Sequence, residues 1–139
     1  MKIDEVKVEI FYMSEILSDK AYPSSQLAEK ERELFEQINQ TIVEQQLFLD
    51  PGFSRTKFIK IGLVNKNKVA RMLQQYAGTN LNGYINGMRL EYAARLLREH
   101  PADPIKAIAA NSGFNSVRTF YRLFSEKYGM SPVEYKEKL

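Results

Sequence analysis

The sequence has no cysteine, no tryptophan, a single histidine (His100) and only five prolines in 139 residues. Without cysteine there are no disulfides and no thiolate nucleophile, and one histidine cannot complete a zinc site of the usual Cys/His kind. No glycine-rich phosphate loop, no histidine beside a serine or a carboxylate pair, and no cluster of metal-ligand residues is present, so the chain is not read as an enzyme and no cofactor is expected. His100, in the run REHPADP, reads as a helix-end residue interacting with the last carbonyls. No apolar run approaches the roughly eighteen residues of a membrane span, and no basic, then apolar, then small-residue leader is visible. The expected location is the cytoplasm.

What the chain does have is an uneven distribution of charge. The net charge is +3, but Met1 to Phe53 carries five Lys/Arg against eleven Asp/Glu, and the remaining 86 residues carry 15 against 6. The first part is therefore −6 and the second +9. A basic field of that size attracts polyanions, of which nucleic acid is the commonest in a cytosol. With 44% hydrophobic residues, the chain suits one compact unit or two small subdomains.

Residues 1–24 read as a tail or the remnant of an upstream segment. Val6, Val8 and Ile10 alternate with Lys7 and Glu9 there, which suggests a short strand or an extended stretch. From residue 25 to 53 the pattern is an acidic amphipathic helix and a turn: Leu27, Leu34, Phe35, Ile38, Ile42 and Leu47 mark one stripe, Ser25 is the expected N-cap, and Pro51-Gly52 ends it.

From Ser54 onward the chain looks wholly helical and repeats itself. A shift of 51 residues places Val69 on Phe120, Arg71 on Arg122, Leu73 on Phe124, Gly78 on Gly129 and Tyr84 on Tyr135. Each copy reads as a short helix (Thr56 to Ile61; Ile105 to Asn111), a turn, and a longer helix (Asn67 to Tyr76; Ser116 to Lys127), which is the helix-turn-helix pattern. The units span 54–79 and 104–139. Asp103 before Pro104 is expected to cap the second copy's short helix, SPVE from Ser131 reads as a capping box, and Gly129 closes the helix before it. Between the copies, residues 80–98 form one connecting helix weakened at Gly83 and Gly87.

Geometry gives this arrangement a use. Nineteen helical residues span about 28 Å, so the two longer helices could approach the roughly 34 Å that separates successive major grooves on one face of B-DNA. With Phe120 set at the centre of the inner face, Leu123 and Phe124 lie within about 60° of it, whereas Arg118 and Arg122 lie about 160° and 200° away. Val69, Met72 and Leu73 turn inward in the first copy, Asn67 and Arg71 outward, and Ala70 and Tyr121 flank the outer faces. Arginine forks onto guanine and asparagine pairs with adenine, so these residue types suit a base-reading surface. Asn65, Lys66, Lys68, Ser116 and Thr119 are expected at the phosphates.

The run RLEYAARLL (Arg89 to Leu97), followed by IKAIAANSGFNSVRTFYRLFSEKYGMSP (Ile105 to Pro132), resembles the AraC/XylS-type DNA-binding domain. The match rests on Ile108-Ala109, Gly113-Phe114, Phe120, Phe124, Gly129 and Ser131-Pro132. The resemblance implies two helix-turn-helix subdomains joined by a long helix, with Asn67, Ala70, Arg71, Val117, Arg118, Tyr121 and Arg122 facing the groove. It also implies a transcription factor, often an activator that touches RNA polymerase.

The first unit departs from the family pattern. Arg55, Phe58-Ile59 and Gly62-Leu63 stand where the family has an apolar residue, Leu-Ala and Leu-Gly, so this unit is expected to pack differently and to grip DNA less well. The acidic helix resembles the segment that follows a sensor domain in longer relatives, so the chain is either a piece of a larger regulator or a short regulator controlled by its own abundance. A helical protein-interaction module that binds an acidic partner is the reading from another class. The two separate by salt dependence, which is steep only if phosphates are neutralised.

Overall fold

The computed structural model describes residues 24–62 and 65–139; the strand expected around VEIFY lies outside them, as does Leu63. Among the described residues the chain is all-α: α1 (Ser24–Glu44), a 3-10 turn (Leu47–Leu49), α2 (Arg55–Gly62), α3 (Lys66–Ala77), α4 (Leu81–Glu99), α5 (Ile105–Asn111), α6 (Val117–Tyr128) and α7 (Pro132–Glu137). They form two compact units. One contains the described residues up to Leu47 together with Gly52–Tyr84, and the other contains Phe48–Pro51 and Ile85–Leu139.

In the first unit α1 packs on α2 and α3. Leu34, Ile38, Ile42, Phe58 and Met72 are fully buried, and Val69 and Leu73 nearly so, which places the inner face of α3 where the helical spacing put it. Phe35 stacks on Tyr76 with ring centroids 5.5 Å apart, and Phe58 meets Tyr84 edge-on at 6.4 Å. The Tyr84 hydroxyl donates to the Asn39 side chain, which satisfies the one polar atom that its burial would otherwise strand.

The acidic helix begins one residue before the expected cap, so Ser25 is inside its first turn, and it stops at Glu44. Leu47 is not part of the helical stripe. Gln46 adopts a left-handed backbone (φ 53°), which breaks the helix five residues ahead of Pro51 and sends Phe48 into the second unit.

The second unit is built on an aromatic spine. Phe120 and Phe124 are fully buried, with ring centroids 5.6 Å apart; Phe114 lies 5.2 Å from Phe120, and Tyr128 and Tyr135 lie 4.5 and 5.4 Å from Phe124. Leu90, Ala93, Ala94 and Leu97 of α4 and Ile108 and Ala109 of α5 close the same core. Residues 48–51 strap across it. The Arg89 guanidinium, only 9% exposed, donates from Nε to the Phe48 carbonyl at 2.7 Å and from Nη2 to the Asp50 carbonyl at 2.9 Å. Gly113, in the turn between α5 and α6, has φ 95°, and a Cβ there would stand 2.9 Å from both Arg89 Nε and the Phe48 carbonyl oxygen. The turn needs glycine for its backbone and for space.

Caps set most helix boundaries. Gly78 and Gly129, equivalent in the repeat, both end their helices in the left-handed region (φ 67° and 71°). Ser131 accepts from the Glu134 amide at 3.1 Å, with Pro132 in the first turn of α7. Asp103 does not cap α5: the helix starts at Ile105, so Pro104 rather than Asp103 occupies the cap position, with ψ 145° and no side-chain bond. At the end of α4, His100 engages the helix through its backbone amide, which donates to the Leu96 carbonyl at 2.7 Å.

Candidate nucleic-acid interface

Each longer helix of the repeat has one buried side and one side in solvent. On α3, Val69, Met72 and Leu73 are buried while Asn65, Lys66, Asn67, Ala70 and Arg71 are exposed; Lys68 is half-buried. On α6, Phe120 and Phe124 are buried and Arg118 and Arg122 are exposed. Val117 and Tyr121 are half-buried and pack against the aromatic core, with the Tyr121 ring edge-on to Phe120 at 6.2 Å. They straddle the boundary between core and outer face, so their apolar parts fix the rotation of α6 while the arginines beside them reach outward.

The heads of both helices are capped in the same way. Asn65 Oδ1 accepts from the Lys68 amide at 2.8 Å, and Ser116 Oγ accepts from the Thr119 amide at 3.2 Å. Of the residues expected at phosphates, Asn65 and Ser116 therefore have a structural duty as well. The cap occupies the Asn65 carbonyl oxygen and one Ser116 lone pair; the Asn65 amide group and the Ser116 hydroxyl hydrogen remain suited to an anion. The positive end of each helix dipole lies at the same place.

The two arginines at matching repeat positions differ in their surroundings. Arg122 Nη1 lies 3.4 Å from Glu126 on its own helix, and both side chains are well exposed. Arg71 Nη2 lies 3.4 Å from Glu31 of α1, whose side chain is mostly buried. Burial lowers the pKa of Lys68, with the Glu31 charge opposing and the Arg71 charge reinforcing that direction. Tyr76 of α3 also donates to the Ala28 carbonyl at 3.2 Å. The sequence reading missed this docking of α1 on α3. Its signal was a charged residue inside an apolar stripe: Glu31 falls between Leu27 and Leu34 on the face that also carries Ile38.

Beside Ala70, a cleft of about 590 Å³ opens between the head of α2, the outer side of α3 and the head of α4. Ser54, Arg55, Gln74, Asn80 and Asn82 line it. Among the described residues no helix is long and apolar enough to cross a membrane.

Residues 63–138 match the model of a helix-turn-helix domain family. The chain is 29% identical over 111 residues to an uncharacterized helix-turn-helix transcriptional regulator of Escherichia coli K12, YijO, covering 80% of this chain and 38% of that protein. It is 33% identical over 95 residues to the transcriptional activator RhrA of Rhizobium meliloti, covering 68% of this chain and 30% of the relative. The matched region thus spans 38% and 30% of the length of these two relatives. Among solved structures, the C-terminal domain of AraT, a response regulator from Geobacillus stearothermophilus, superposes with a TM-score of 0.67 at 25% identity, covering 75% of this chain and 84% of that one.

Proposed function

The chain belongs to the AraC-type family of helix-turn-helix transcriptional regulators, and on that premise we propose that it recognises a specific double-stranded DNA site by laying α3 and α6 into adjacent major-groove segments. Asn67, Ala70 and Arg71 read one sub-site, and Val117, Arg118, Tyr121 and Arg122 read the other. Asn65, Lys66, Lys68, Ser116 and Thr119 hold the phosphates that fix the register. The observation that carries this reading is the exposure of Arg118 and Arg122 on the side of α6 opposite the buried Phe120 and Phe124. A face of that kind, next to a capped helix head, meets the requirements for groove entry.

The family's chemistry is DNA binding rather than catalysis. Because RhrA and the Escherichia coli relative RclR are named as transcriptional activators, activation through contact with RNA polymerase is the favoured outcome of binding here. The working compartment on this reading is the cytoplasm.

Selection of bound duplexes from a random pool, followed by a salt titration on the recovered site, tests the proposal. Enrichment of one asymmetric site, with log Kd rising steeply with log salt, is expected. No enrichment together with a flat salt dependence would replace DNA by a protein partner carrying acidic groups.

A further inference from the structure

We propose that Glu31 on α1 is a positioning residue for DNA reading: it holds the Arg71 guanidinium from a neighbouring helix and so sets the base preference of the first unit. The inference rests on the assignment of Arg71 to the base-reading face.

Glu31 occupies a place that packing alone would give to leucine. It sits in the apolar stripe of α1, its side chain is 16% exposed, and its Oε2 lies 3.4 Å from Arg71 Nη2. Its Oε1 is buried with no hydrogen-bond partner among the described residues. A carboxylate in that state costs stability, and an ion pair built for stability alone would satisfy both oxygens. The arrangement suits a different task, which is to fix where a guanidinium points.

The anchor is held by rigid elements. The Phe35 and Tyr76 rings stack, and the Tyr76 hydroxyl donates to the Ala28 carbonyl, so α1 and α3 are clamped near the carboxylate. Lys68, one turn before Arg71, has its pKa lowered chiefly by burial, and its ammonium feels both Glu31 and Arg71. Glu31 thus faces two like charges and relieves their repulsion. When DNA displaces water from this surface the effective dielectric falls and the Glu31–Arg71 attraction strengthens. A guanidinium carries more donors than one carboxylate oxygen uses, so Arg71 keeps donors for a guanine edge while its plane is fixed. Preorganisation of this kind sharpens selectivity, because an arginine that cannot swing away cannot settle for a neighbouring acceptor.

The test uses the full chain and the duplex it selects from a random pool. Binding is compared on that duplex, on single base-pair variants and on random duplex, for the parent, Glu31→Gln, Arg71→Ala and the double variant. The readout is the ratio of Kd values for variant and selected duplexes, which a change in folded fraction does not alter. Arg71→Ala is expected to erase preference at one base pair. Glu31→Gln is expected to reduce the preference at that same base pair by roughly threefold or more, and to do nothing further there when Arg71 is already alanine. If Arg71→Ala erases the preference and Glu31→Gln leaves it intact, the positioning role is wrong and the DNA-reading role of Arg71 stands. If Glu31→Gln tightens every duplex equally in both backgrounds, Glu31 acts only through net charge and the inference is overturned. If Arg71→Ala changes no base preference, the assignment of Arg71 fails and this inference falls with it.

Discussion

Phe124 and Arg122 stand two residues apart on α6, the one buried and the other exposed. Phe124 has no exposed surface and touches Phe120, Tyr128 and Tyr135, so Phe124→Ala is expected to cost about 3–5 kcal/mol of stability, a large share of what a small domain possesses. Thermal or denaturant unfolding measures it, and an unchanged transition would mean that α6 is rotated differently. Arg122 is exposed, and its ion pair with Glu126 is between two solvated side chains, which contributes little to folding. Arg122→Ala is therefore expected to melt like the parent while losing about 1–3 kcal/mol of specific binding and relaxing one base position. An equal loss on all sequences would make it a phosphate contact. Spacing alone separated the buried residue from the exposed one, because inner and outer residues of an amphipathic helix separate by angle. Glu31 and Arg89 were not legible in the same way. Each is a charge inside an apolar stripe (Arg89 falls between Ile85 and Ala93), and the partners that justify it are 39 to 41 residues distant. A stripe shows that such a residue is buried, but local pattern carries no trace of the carbonyl or guanidinium it will meet.

At the scale of elements, the helices were legible within a residue or two because caps and periodicity agree, as at Gly78, Gly129 and Ser131. The boundary that drifted was the end of α1, where the left-handed backbone of Gln46 stops the helix ahead of Pro51; at α5 the span agrees and only the capping residue differs. The α5–α6 turn gives a sharp expectation. Gly113→Ala forces a side chain into φ 95° and sets its Cβ 2.9 Å from Arg89 Nε and the Phe48 carbonyl oxygen, so a loss of at least about 1–3 kcal/mol is expected from backbone strain alone; a melt equal to the parent's would refute it. On the proposed reading, α3 and α6 should also contribute unequally to binding. Glu31 offsets part of the attraction of Arg71 for a polyanion, whereas the carboxylate beside Arg122 is solvated. Overall affinity for the selected site should fall less for Arg71→Ala than for Arg122→Ala, measured by titration at one salt concentration. Equal losses would show that the carboxylate near Arg71 does not matter for strength of binding.

At the scale of the whole molecule, the repeat predicts what kind of site is read. Two copies in one chain, related by a shift along the sequence, are expected to read sub-sites in the same direction, and their outward residues differ: Asn67 and Ala70 in one, Arg118 and Tyr121 in the other. A monomer should occupy a full asymmetric site, unlike dimeric helix-turn-helix proteins whose operators mirror their own two-fold symmetry. Hydroxyl-radical footprinting is expected to show two protected patches about one helical turn apart on one face of the duplex, at one protein per site. A single patch would mean that the first unit does not dock, and a palindromic footprint filled by two chains would overturn the tandem arrangement.

The strap at residues 48–51 makes the second unit discontinuous, with Gly52–Tyr84 of the first interposed between its pieces. For the second unit that stretch is an insertion, and assembling it means closing a loop whose entropic cost grows with the logarithm of its length unless the insert is already ordered. During synthesis Phe48 and Asp50 emerge well before Arg89 and Gly113, so the strap waits for partners that do not yet exist. No single proteolytic cut can release the second unit whole. A fragment beginning at Ile85 leaves behind the carbonyls of Phe48 and Asp50, and the Arg89 guanidinium that they satisfy would have to find water instead.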